Sequence, residues 1–333
     1  EMADLNPLNP SATLSADFDA SGWRIQNFGP NNWTHLGTKA YCMAWNGTDH
    51  RLYETDGTNA GTVAVSPAYA GSVIGSRGNY AFSPLAYQGR IYLAFDDGSG
   101  TFDELFSYDP QTSTFALCAD VVGAGPAWGT WDKTEIVGFL GDIWYNGGSA
   151  LQVYDPKTNS VTDMTIAAAN AGNTAPATPA CLTPIGDKLY FFADDGSGME
   201  PWVSDGTAAG TMVLADCNFG GEDALPYGQY GPEFARAGNL VVFGAVTDAD
   251  GATPLGRELW VTDGTPAGTQ LLKDINVGPG EGMPWRWSQV LMGLTALDTP
   301  GGTIALFGAD DGSGIGSELW RTDGTAAGTY LVK

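Results

Sequence analysis

The chain alternates short apolar runs with polar turns, and the pattern is clearest between residues 181 and 216. There CLTPIG, DKLYFFADDGSG, MEPWVSDG and GTMVLAD follow one another, each rich in apolar or aromatic residues and bounded by Gly, Asp or Pro. Such runs predict β-strands joined by turns. In the third run Trp202 and Ser204 alternate with Val203, the period-two pattern of a half-buried strand. The segment therefore predicts four antiparallel strands, here called A to D.

The turn between strands C and D is repeated along the chain. It occurs in RLYETDGTNAGTVAV (51–65), MEPWVSDGTAAGTMVLA (199–215), RELWVTDGTPAGTQLLK (257–273) and ELWRTDGTAAGTYLVK (318–333). In each copy Gly can adopt a positive φ, and the preceding Asp can accept hydrogen bonds from backbone N–H groups of the turn. The repeated Asp is therefore predicted to be structural.

Two further segments carry a variant of this turn. ELFSYDPQTSTFALCAD (104–120) and LQVYDPKTNSVTDMTI (151–166) replace TDGT with YDPxT. Pro presets φ at the second turn position, so turns of similar outline are expected at Asp109 and Asp155.

The spacing of the turns predicts the fold. The turn aspartates are Asp56, Asp109, Asp155, Asp205, Asp263 and Asp323, and they lie 46 to 60 residues apart. This spacing is typical of the four-stranded blades of a β-propeller. We therefore predict an all-β, single-domain, six-bladed β-propeller over residues 32–333, with blades at about 32–66, 80–122, 133–166, 179–217, 231–275 and 287–333. Residues 1–31 are predicted to be an N-terminal extension packing on the propeller edge; the alternative is the remnant of a seventh blade.

The repeats resemble a known family. ELWVTDGTPAGTQLLKDI (258–275) and ELWRTDGTAAGTYLVK (318–333), with the preceding FFADDGSG and LFGADDGSG, are similar to the ELWxxDGT repeat of secreted bacterial proteins. The match is specific in blades 4 to 6 and partial in blade 1, while blades 2 and 3 look closer to kelch-type units. The resemblance implies a propeller located outside the cell or on its surface, and it identifies no catalytic residue in this chain. The turns also resemble the Asp-boxes of sialidases, but the eight scattered Arg form no cluster for a substrate carboxylate.

Composition and charge narrow the choice of partner. The chain has 38 acidic residues against 14 basic ones, a formal net charge of −24. This excludes nucleic acid and anionic membrane surfaces as partners and favours cations. No apolar stretch is long enough to cross a bilayer. The four cysteines, Cys42, Cys118, Cys181 and Cys217, allow two disulfides by three connectivities or four small buried apolar side chains.

Acidic loops between strands B and C are candidate metal sites. DDGSG occurs at 96–100, 194–198 and 310–314, and DADG at 248–251. Ca²⁺ prefers several oxygen ligands, so we predict Ca²⁺ ligands at Asp96, Asp97, Asp194, Asp195, Asp310 and Asp311. The alternative is that Asp-Asp-Gly simply forms a hairpin turn. The spacing of an EF-hand is absent, because Leu259 stands where that loop needs Glu.

Aromatic residues mark the connections between strand D and the next strand A. They lie in GPAWGTWDK (125–133), PYGQYGPEF (226–234) and GPGEGMPWRWSQ (278–289). Aromatic rings flanked by Gly and Pro can stack on sugars or hold an apolar ligand. The predicted ligand-binding residues are Trp128, Trp131, Tyr227, Tyr230, Trp285, Arg286 and Trp287. The alternative for each Trp is a wedge between blades.

Catalytic signatures are few. The chain has two histidines, His35 and His50, and no GxSxG motif for a serine nucleophile. The sequence thus favours a secreted or cell-surface binding propeller that recognises a glycan, a cation or a partner protein through its loop-rich face. The alternative is a glycoside hydrolase or lyase that uses paired carboxylates at the central tunnel.

Overall fold

The protein is described by a computed structural model over residues 33–45, 50–67, 84–95, 104–119, 136–147, 150–218, 223–225, 234–248, 254–283 and 293–333. These residues form six four-stranded antiparallel sheets, and in every sheet the four strands lie side by side in chain order. The prediction of an all-β, six-bladed propeller is confirmed, and each sheet is called a blade below.

The strands are numbered in chain order, four to a blade. Blade 1 contains β1 (Trp33–Leu36), β2 (Lys39–Trp45), β3 (His50–Thr55) and β4 (Val63–Ala64). Blade 2 contains β5 (Leu85–Tyr87), β6 (Arg90–Phe95), β7 (Glu104–Asp109) and β8 (Thr114–Ala119). Blade 3 contains β9 (Ile136–Phe139), β10 (Asp142–Asn146), β11 (Leu151–Asp155) and β12 (Ser160–Asp163), and the helix α1 (Met164–Asn170) follows it.

The second half of the chain holds the other three blades. Blade 4 contains β13 (Ala177–Ile185), β14 (Lys188–Asp194), β15 (Met199–Ser204) and β16 (Met212–Val213). Blade 5 contains β17 (Phe234–Ala237), β18 (Leu240–Asp248), β19 (Pro254–Thr262) and β20 (Gln270–Lys273). Blade 6 contains β21 (Thr295–Thr299), β22 (Gly302–Ala309), β23 (Glu318–Thr322) and β24 (Tyr330–Leu331).

The chain divides into two compact units. The first comprises residues 1–148 and 153–161, and the second comprises residues 149–152 and 162–333. The single-domain organisation stays a prediction. So does the N-terminal extension, because residues 1–32 lie outside the described part of the chain.

All six predicted aspartates lie at C–D turns, and they share one hydrogen bond. In each case the Oδ1 atom accepts the backbone N–H two residues later, at 2.7–2.9 Å. Hydrogen bonds from backbone N–H groups and from neighbouring Thr hydroxyls hold the pKa of all six carboxyls below the ordinary value. The repeat is therefore explained by turn chemistry, as predicted for Asp residues at such positions.

The TDGT turns contain further hydrogen bonds made by the Thr hydroxyl, described here for blade 5. The hydroxyl of Thr265 donates to Asp263 Oδ1 at 2.7 Å, and Thr265 Oγ1 accepts the N–H of Gly268 at 3.1 Å. A Cβ atom at position 268 would collide with the Asp263 carboxylate. A Cβ atom would collide in the same way with the turn Asp at positions 61, 210 and 328. The motif DGTxxG therefore corresponds to one closely packed turn, in which the second Gly has no side chain to collide with the Asp carboxylate.

The YDPxT turns of blades 2 and 3 place the residue with a positive φ at a different position from the TDGT turns. In TDGT the residue after Asp has a positive φ, for example 84° at Gly264. Pro cannot adopt that conformation, since its ring fixes φ near −65°. In blades 2 and 3 the positive φ instead occurs four residues after the Asp, at Ser113 (54°) and Asn159 (56°).

Consecutive blades within a unit pack face to face. In the second unit one apolar cluster joins blades 4 and 5 and another joins blades 5 and 6. In β15, Trp202 and Val203 are 0% and 3% exposed although they point to opposite faces. The sequence prediction of a half-buried strand was wrong here, because alternation reports the local pattern and burial also depends on the neighbouring blades.

The first unit is built in the same way. One cluster joins blades 1 and 2, and a second joins blades 2 and 3. The hydroxyl of Tyr87 in blade 2 accepts the N–H of Gly141 in blade 3 at 2.9 Å. In blade 1, Thr34 Oγ1 accepts the N–H of Ala86 at 3.2 Å.

The four cysteines form no disulfide with one another. Cys42, Cys181 and Cys217 are buried and Cys118 is half-buried. Of the two alternatives that the sequence left open, the structure shows small buried side chains rather than disulfides. Among the described residues, no helix has the length and apolar character needed to cross a membrane.

Candidate functional site

Several predicted site residues lie outside the described part of the chain. These are the aromatic set with its arginine and two of the acidic residues: Trp128, Trp131, Tyr227, Tyr230, Trp285, Arg286, Trp287, Asp96 and Asp97. Their roles stay predictions. The structure describes the neighbouring strands and the other four acidic residues.

Each blade of the second unit has two distinct ends. We call the end with the A–B and C–D turns the turn end, and the end with the B–C and D–A connections the loop end. At the turn end Lys188 of blade 4 donates to the carbonyl of Gly264 in blade 5 at 2.9 Å. At the loop end the N–H of Asp310 in blade 6 donates to the carbonyl of Gly282, in the connection that leaves blade 5, at 2.9 Å. Neighbouring blades of this unit are therefore linked by hydrogen bonds at the turn end and at the loop end.

Two connections at the loop end are built alike. DCNFGGEDAL (216–225) leaves blade 4 and DINVGPGEGM (274–283) leaves blade 5. Near the start of each connection an Asn side chain donates to a carbonyl five residues ahead. Asn218 bonds the carbonyl of Asp223 at 3.1 Å, and Asn276 bonds that of Glu281 at 3.4 Å.

A buried glutamate anchors each of these connections to its own blade. Glu200 and Glu258, the Glu of the repeated E-x-W, are both 0% exposed. Glu258 Oε2 accepts the N–H of Ile275 at 2.6 Å and Oε1 accepts the N–H of Gly282 at 2.7 Å. Glu200 Oε2 accepts the N–H of Cys217 at 2.8 Å. Sequence reasoning missed this role; the signal was a charged residue repeated inside an otherwise apolar strand.

Burial raises the pKa of both carboxyls. The pKa of Glu258 rises to about 7, with the charge of Asp274 adding to the effect of burial. The pKa of Glu200 rises further, to about 8, with burial again the main cause. Within the described part of the chain, no donor lies within hydrogen-bonding distance and angle of the Glu200 Oε1 atom. Ala224 stands at the equivalent position in blade 4, whereas a Cβ atom at Gly282 would collide with the Glu258 carboxylate.

The acidic B–C loops use their carboxylates within the turn. Asp194 Oδ1 accepts the N–H of Gly196 at 2.7 Å, and Asp195 Oδ1 accepts that of Ser197 at 2.8 Å. Asp310 and Asp311 repeat both bonds in blade 6, at 2.9 Å each. Among the described residues, no three His, Cys, Asp or Glu side chains group closely enough to hold a metal ion. These bonds match the hairpin-turn alternative, and calcium binding stays a prediction.

The charges of the second unit are distributed unevenly between its ends. At the turn end the basic residues Lys188, Arg236 and Arg321 lie among the turn aspartates. At the loop end ten carboxylates lie outside the core: Asp194, Asp195, Asp216, Asp223, Asp248, Asp274, Glu281, Asp310, Asp311 and Glu318. In the described part of this end the basic residues are Arg257, Lys273 and Lys333. Arg257 is 5% exposed and donates to the carbonyl of Met283 at 3.2 Å, and the Lys273 ammonium donates to the carbonyl of Thr329 at 2.7 Å. The loop end is therefore the acidic surface of the unit.

The comparisons with known proteins found distant similarity to solved structures. No protein-family model matches the chain, and no curated protein sequence matches it. Among solved structures, the extracellular domain of a hybrid two-component system from B. thetaiotaomicron is 11% identical with a TM-score of 0.47, covering 89% of this chain and 32% of that one. TolB from Acinetobacter baumannii is 13% identical with a TM-score of 0.36, covering 86% and 61%.

A third similar structure is named as a propeller. The β-propeller domain of the Trilobed protease from Pyrococcus furiosus is 8% identical with a TM-score of 0.40, covering 90% of this chain and 83% of that domain. The chain spans less than two thirds of the length of the two proteins above. All three TM-scores lie below 0.5, so the fold assignment rests on the six sheets of the structure itself. They do not confirm membership of the ELWxxDGT repeat family, which stays a prediction.

Proposed function

We propose that this chain is a binding propeller that acts outside the cell and recognises a cationic ligand through the loop end of its blades. The observation that carries the proposal is the excess of acidic residues at the loop end of the second unit. Ten carboxylates lie outside the core at the loop end, while at the turn end basic residues lie among the acidic ones. A surface of one sign attracts ligands of the opposite sign and speeds their association.

The turn end offers less to a ligand. The Oδ1 atoms of Asp205, Asp263 and Asp323 each accept two hydrogen bonds from their own turn. A carboxylate that already accepts such bonds has fewer lone pairs for a partner. Asp195 at the loop end is bonded to its own turn in the same way. The inference that recognition takes place at the loop end therefore rests on its excess of carboxylates.

The ligand class follows from the chemistry of the loop end. Carboxylates held on loops suit a hard divalent cation such as Ca²⁺ or the lysine and arginine side chains of a partner protein. The aromatic residues predicted to contact a glycan belong to D–A connections, so a glycan would meet the same end. A glycan with cationic amino groups would combine both features.

A titration with defined probes tests the proposal. Calcium chloride and a lysine-rich peptide are titrated into the protein at about 0.15 M NaCl, near physiological ionic strength, and heat or fluorescence reports saturation. A glycan array tests the aromatic prediction in parallel. Saturable binding of one probe is expected. Binding to no probe, or binding in linear proportion to probe concentration, would contradict the proposal.

The hydrolase alternative is decided by a separate readout on the same ligands. Incubation with a polysaccharide panel is followed by measurement of released reducing ends or unsaturated products. Binding without release supports the binding function. Release of products would replace it with the carboxylate-dependent glycoside hydrolase or lyase.

A further inference from the structure

Two apolar side chains at the acidic loop end are unusually exposed. Val277 is 85% exposed and Ile315 is 76% exposed, whereas among the other described residues no large apolar side chain exceeds 59%. Val277 lies in the connection that leaves blade 5, and Ile315 lies in the B–C loop of blade 6. Single exposed apolar residues are common on protein surfaces, so it is the shared location of these two that calls for an explanation. We call them the apolar pair.

The two loops that carry the apolar pair contact each other. The Asn276 side chain lies so close to Gly312 that a Cβ atom on Gly312 would collide with it. A backbone hydrogen bond of 2.9 Å also joins the two loops. Val277 directly follows Asn276, and Ile315 comes three residues after Gly312. The pair therefore belongs to one surface made by two adjoining loops.

Hydrogen bonds within each loop hold the backbone beside the pair. In the blade 5 connection the Glu258 carboxylate accepts two backbone N–H groups, one on each side of Val277. In the blade 6 loop Asp311 Oδ1 accepts the N–H of Ser313, two residues before Ile315, at 2.9 Å. A surface that is already ordered loses less conformational entropy when a ligand binds. The apolar pair is therefore presented on a preorganised backbone.

The apolar pair contributes little to the fold itself. Because both side chains stay mostly exposed, folding removes little of their apolar surface from water, and that surface is buried only when a ligand covers it. The sequence repeats the feature once, since aligning DCNFGGEDAL (216–225) with DINVGPGEGM (274–283) places Phe219 opposite Val277. Phe219 lies outside the described residues, so the structural argument rests on blades 5 and 6.

Carboxylates on the same two loops indicate the class of ligand. They belong to Asp274, Glu281, Asp310 and Asp311, all half-buried. A metal ion gains nothing from exposed aliphatic side chains. Lysine and arginine, in contrast, carry a charge on an apolar stem, and a peptide that contains them also offers aliphatic side chains. Apolar and acidic groups side by side therefore favour a basic peptide over a divalent cation.

We propose that Val277 and Ile315 form the apolar part of a site for a basic peptide segment of a partner protein, in which aliphatic side chains lie next to lysine or arginine. The carboxylates attract and orient the cationic side chains, and the apolar pair packs against the aliphatic ones. This inference rests on the proposed function, because it specifies the ligand of the same loop end.

Two synthetic peptides of equal charge test the proposal. One contains two copies of Leu-Lys-Lys-Leu separated by Gly, and the other has Ser in place of every Leu. Alternate residues of an extended chain share a face, so each face of the first peptide carries both Leu and Lys. Calorimetric titration at about 0.15 M NaCl measures the affinity of wild type for each peptide. The Leu peptide is expected to bind at least about tenfold more tightly.

Matched double variants assign this preference to the apolar pair. Val277→Ser with Ile315→Ser should remove the preference and leave the affinity for the Ser peptide unchanged, because the carboxylates remain. The control is Val63→Ser with Leu140→Ser, which makes the same change of side-chain size at positions 44% and 58% exposed. Val63 follows the C–D turn of blade 1 and Leu140 lies in the A–B turn of blade 3, so the control should keep the preference. All four positions are exposed, and denaturant unfolding should show both variants as stable as wild type.

The possible failures are distinguishable. Equal affinity of wild type for the two peptides would overturn the role of the apolar pair and leave cationic recognition intact. A preference that survives in Val277→Ser with Ile315→Ser, or that the control loses equally, would overturn it as well. Saturable binding of Ca²⁺ without binding of either peptide would overturn the peptide site and keep a cation as the ligand. Binding of neither peptide nor Ca²⁺ would contradict the proposed function itself.

Discussion

The Asp263 carboxylate occupies the space that a Cβ atom on Gly268 would fill. Gly268 does not have the left-handed φ that demands glycine, so the contact with Asp263 explains the residue. The pairs Asp56–Gly61, Asp205–Gly210 and Asp323–Gly328 repeat the relationship. The repeated motif is thus a constraint between two residues of one turn, and this makes it testable by mutation.

Removing the carboxylate should destabilise the fold without affecting ligand binding. Asp263→Ala removes the acceptor for the Thr265 N–H and hydroxyl, and by analogy with the loss of a helix cap it should lower the free energy of unfolding by about 0.5–2 kcal/mol. Chemical denaturation measures the change. Asp187→Ala removes the same charge at an exposed A–B turn and should have little effect. Normal stability with lost binding in Asp263→Ala would show that this Asp is functional.

The Asp–Gly pair should be strongly coupled. Gly268→Ala places a methyl group against the Asp263 carboxylate, and overpacking of this kind costs about 1–3 kcal/mol. In the Asp263→Ala background the obstacle is gone, so the same substitution should cost much less. A double-mutant cycle by denaturant unfolding measures the coupling. Additive effects of the two substitutions would contradict the steric explanation.

The buried glutamates should make stability depend on pH. Their folded pKa values, about 8 for Glu200 and about 7 for Glu258, lie above the unfolded value, so the stability they contribute is present at low pH and lost as pH rises through the neutral range. For Glu258 the loss is ~3.5 kcal/mol at most, since its folded pKa of about 7 exceeds the ordinary value by about 2.5 and one pKa unit corresponds to ~1.4 kcal/mol. Unfolding free energies at about pH 5 and pH 8 measure it.

Matched variants separate this effect from the general repulsion of an acidic protein. Glu200→Gln with Glu258→Gln should flatten the dependence of stability on pH, whereas Glu318→Gln should leave it unchanged. If wild type, the double variant and Glu318→Gln all show the same change of unfolding free energy with pH, the effect arises from net charge and not from the buried carboxyls.

Calcium binding at the DDGSG loops has a thermal signature. A ligand bound only to the folded state raises the melting temperature by mass action. If Ca²⁺ binds Asp194, Asp195, Asp310 or Asp311, the rise should persist in about 0.5 M NaCl, which largely screens surface repulsion. A rise that NaCl reproduces by itself would mean that these carboxylates form only turns and a solvated surface.

The sequence predicted the features that depend on a few adjacent residues. The turn at Asp263 is local, because its bonds reach Thr265 and Gly268, and six copies of such turns were enough to count the blades. The role of Glu258 could not be predicted in this way, because its hydrogen bonds reach 17 and 24 residues ahead. The burial of Val203 was also missed, since it depends on the packing of blade 5.

The acidic loop end was predicted only in part for a similar reason. The DDGSG loops could be assigned to that end from strand order, but the other acidic residues there, such as Asp223 and Glu281, come from D–A connections without an obvious motif. Their shared location follows from the topology of the sheets. The aromatic residues of the same connections await a test by binding.

The central claim is that ligands are recognised at the loop end and that the repeated turns are scaffold. It is tested most directly by two charge-matched variants, Asp216→Asn with Asp311→Asn at the loop end and Asp187→Asn with Asp298→Asn at the turn end. Binding of the probe that wild type saturates is measured for both by calorimetric titration at fixed salt. We expect at least about a tenfold loss of affinity in the loop-end variant, corresponding to ~1.4 kcal/mol, and little change in the turn-end variant. Equal losses in both variants, or a loss only at the turn end, would contradict the account.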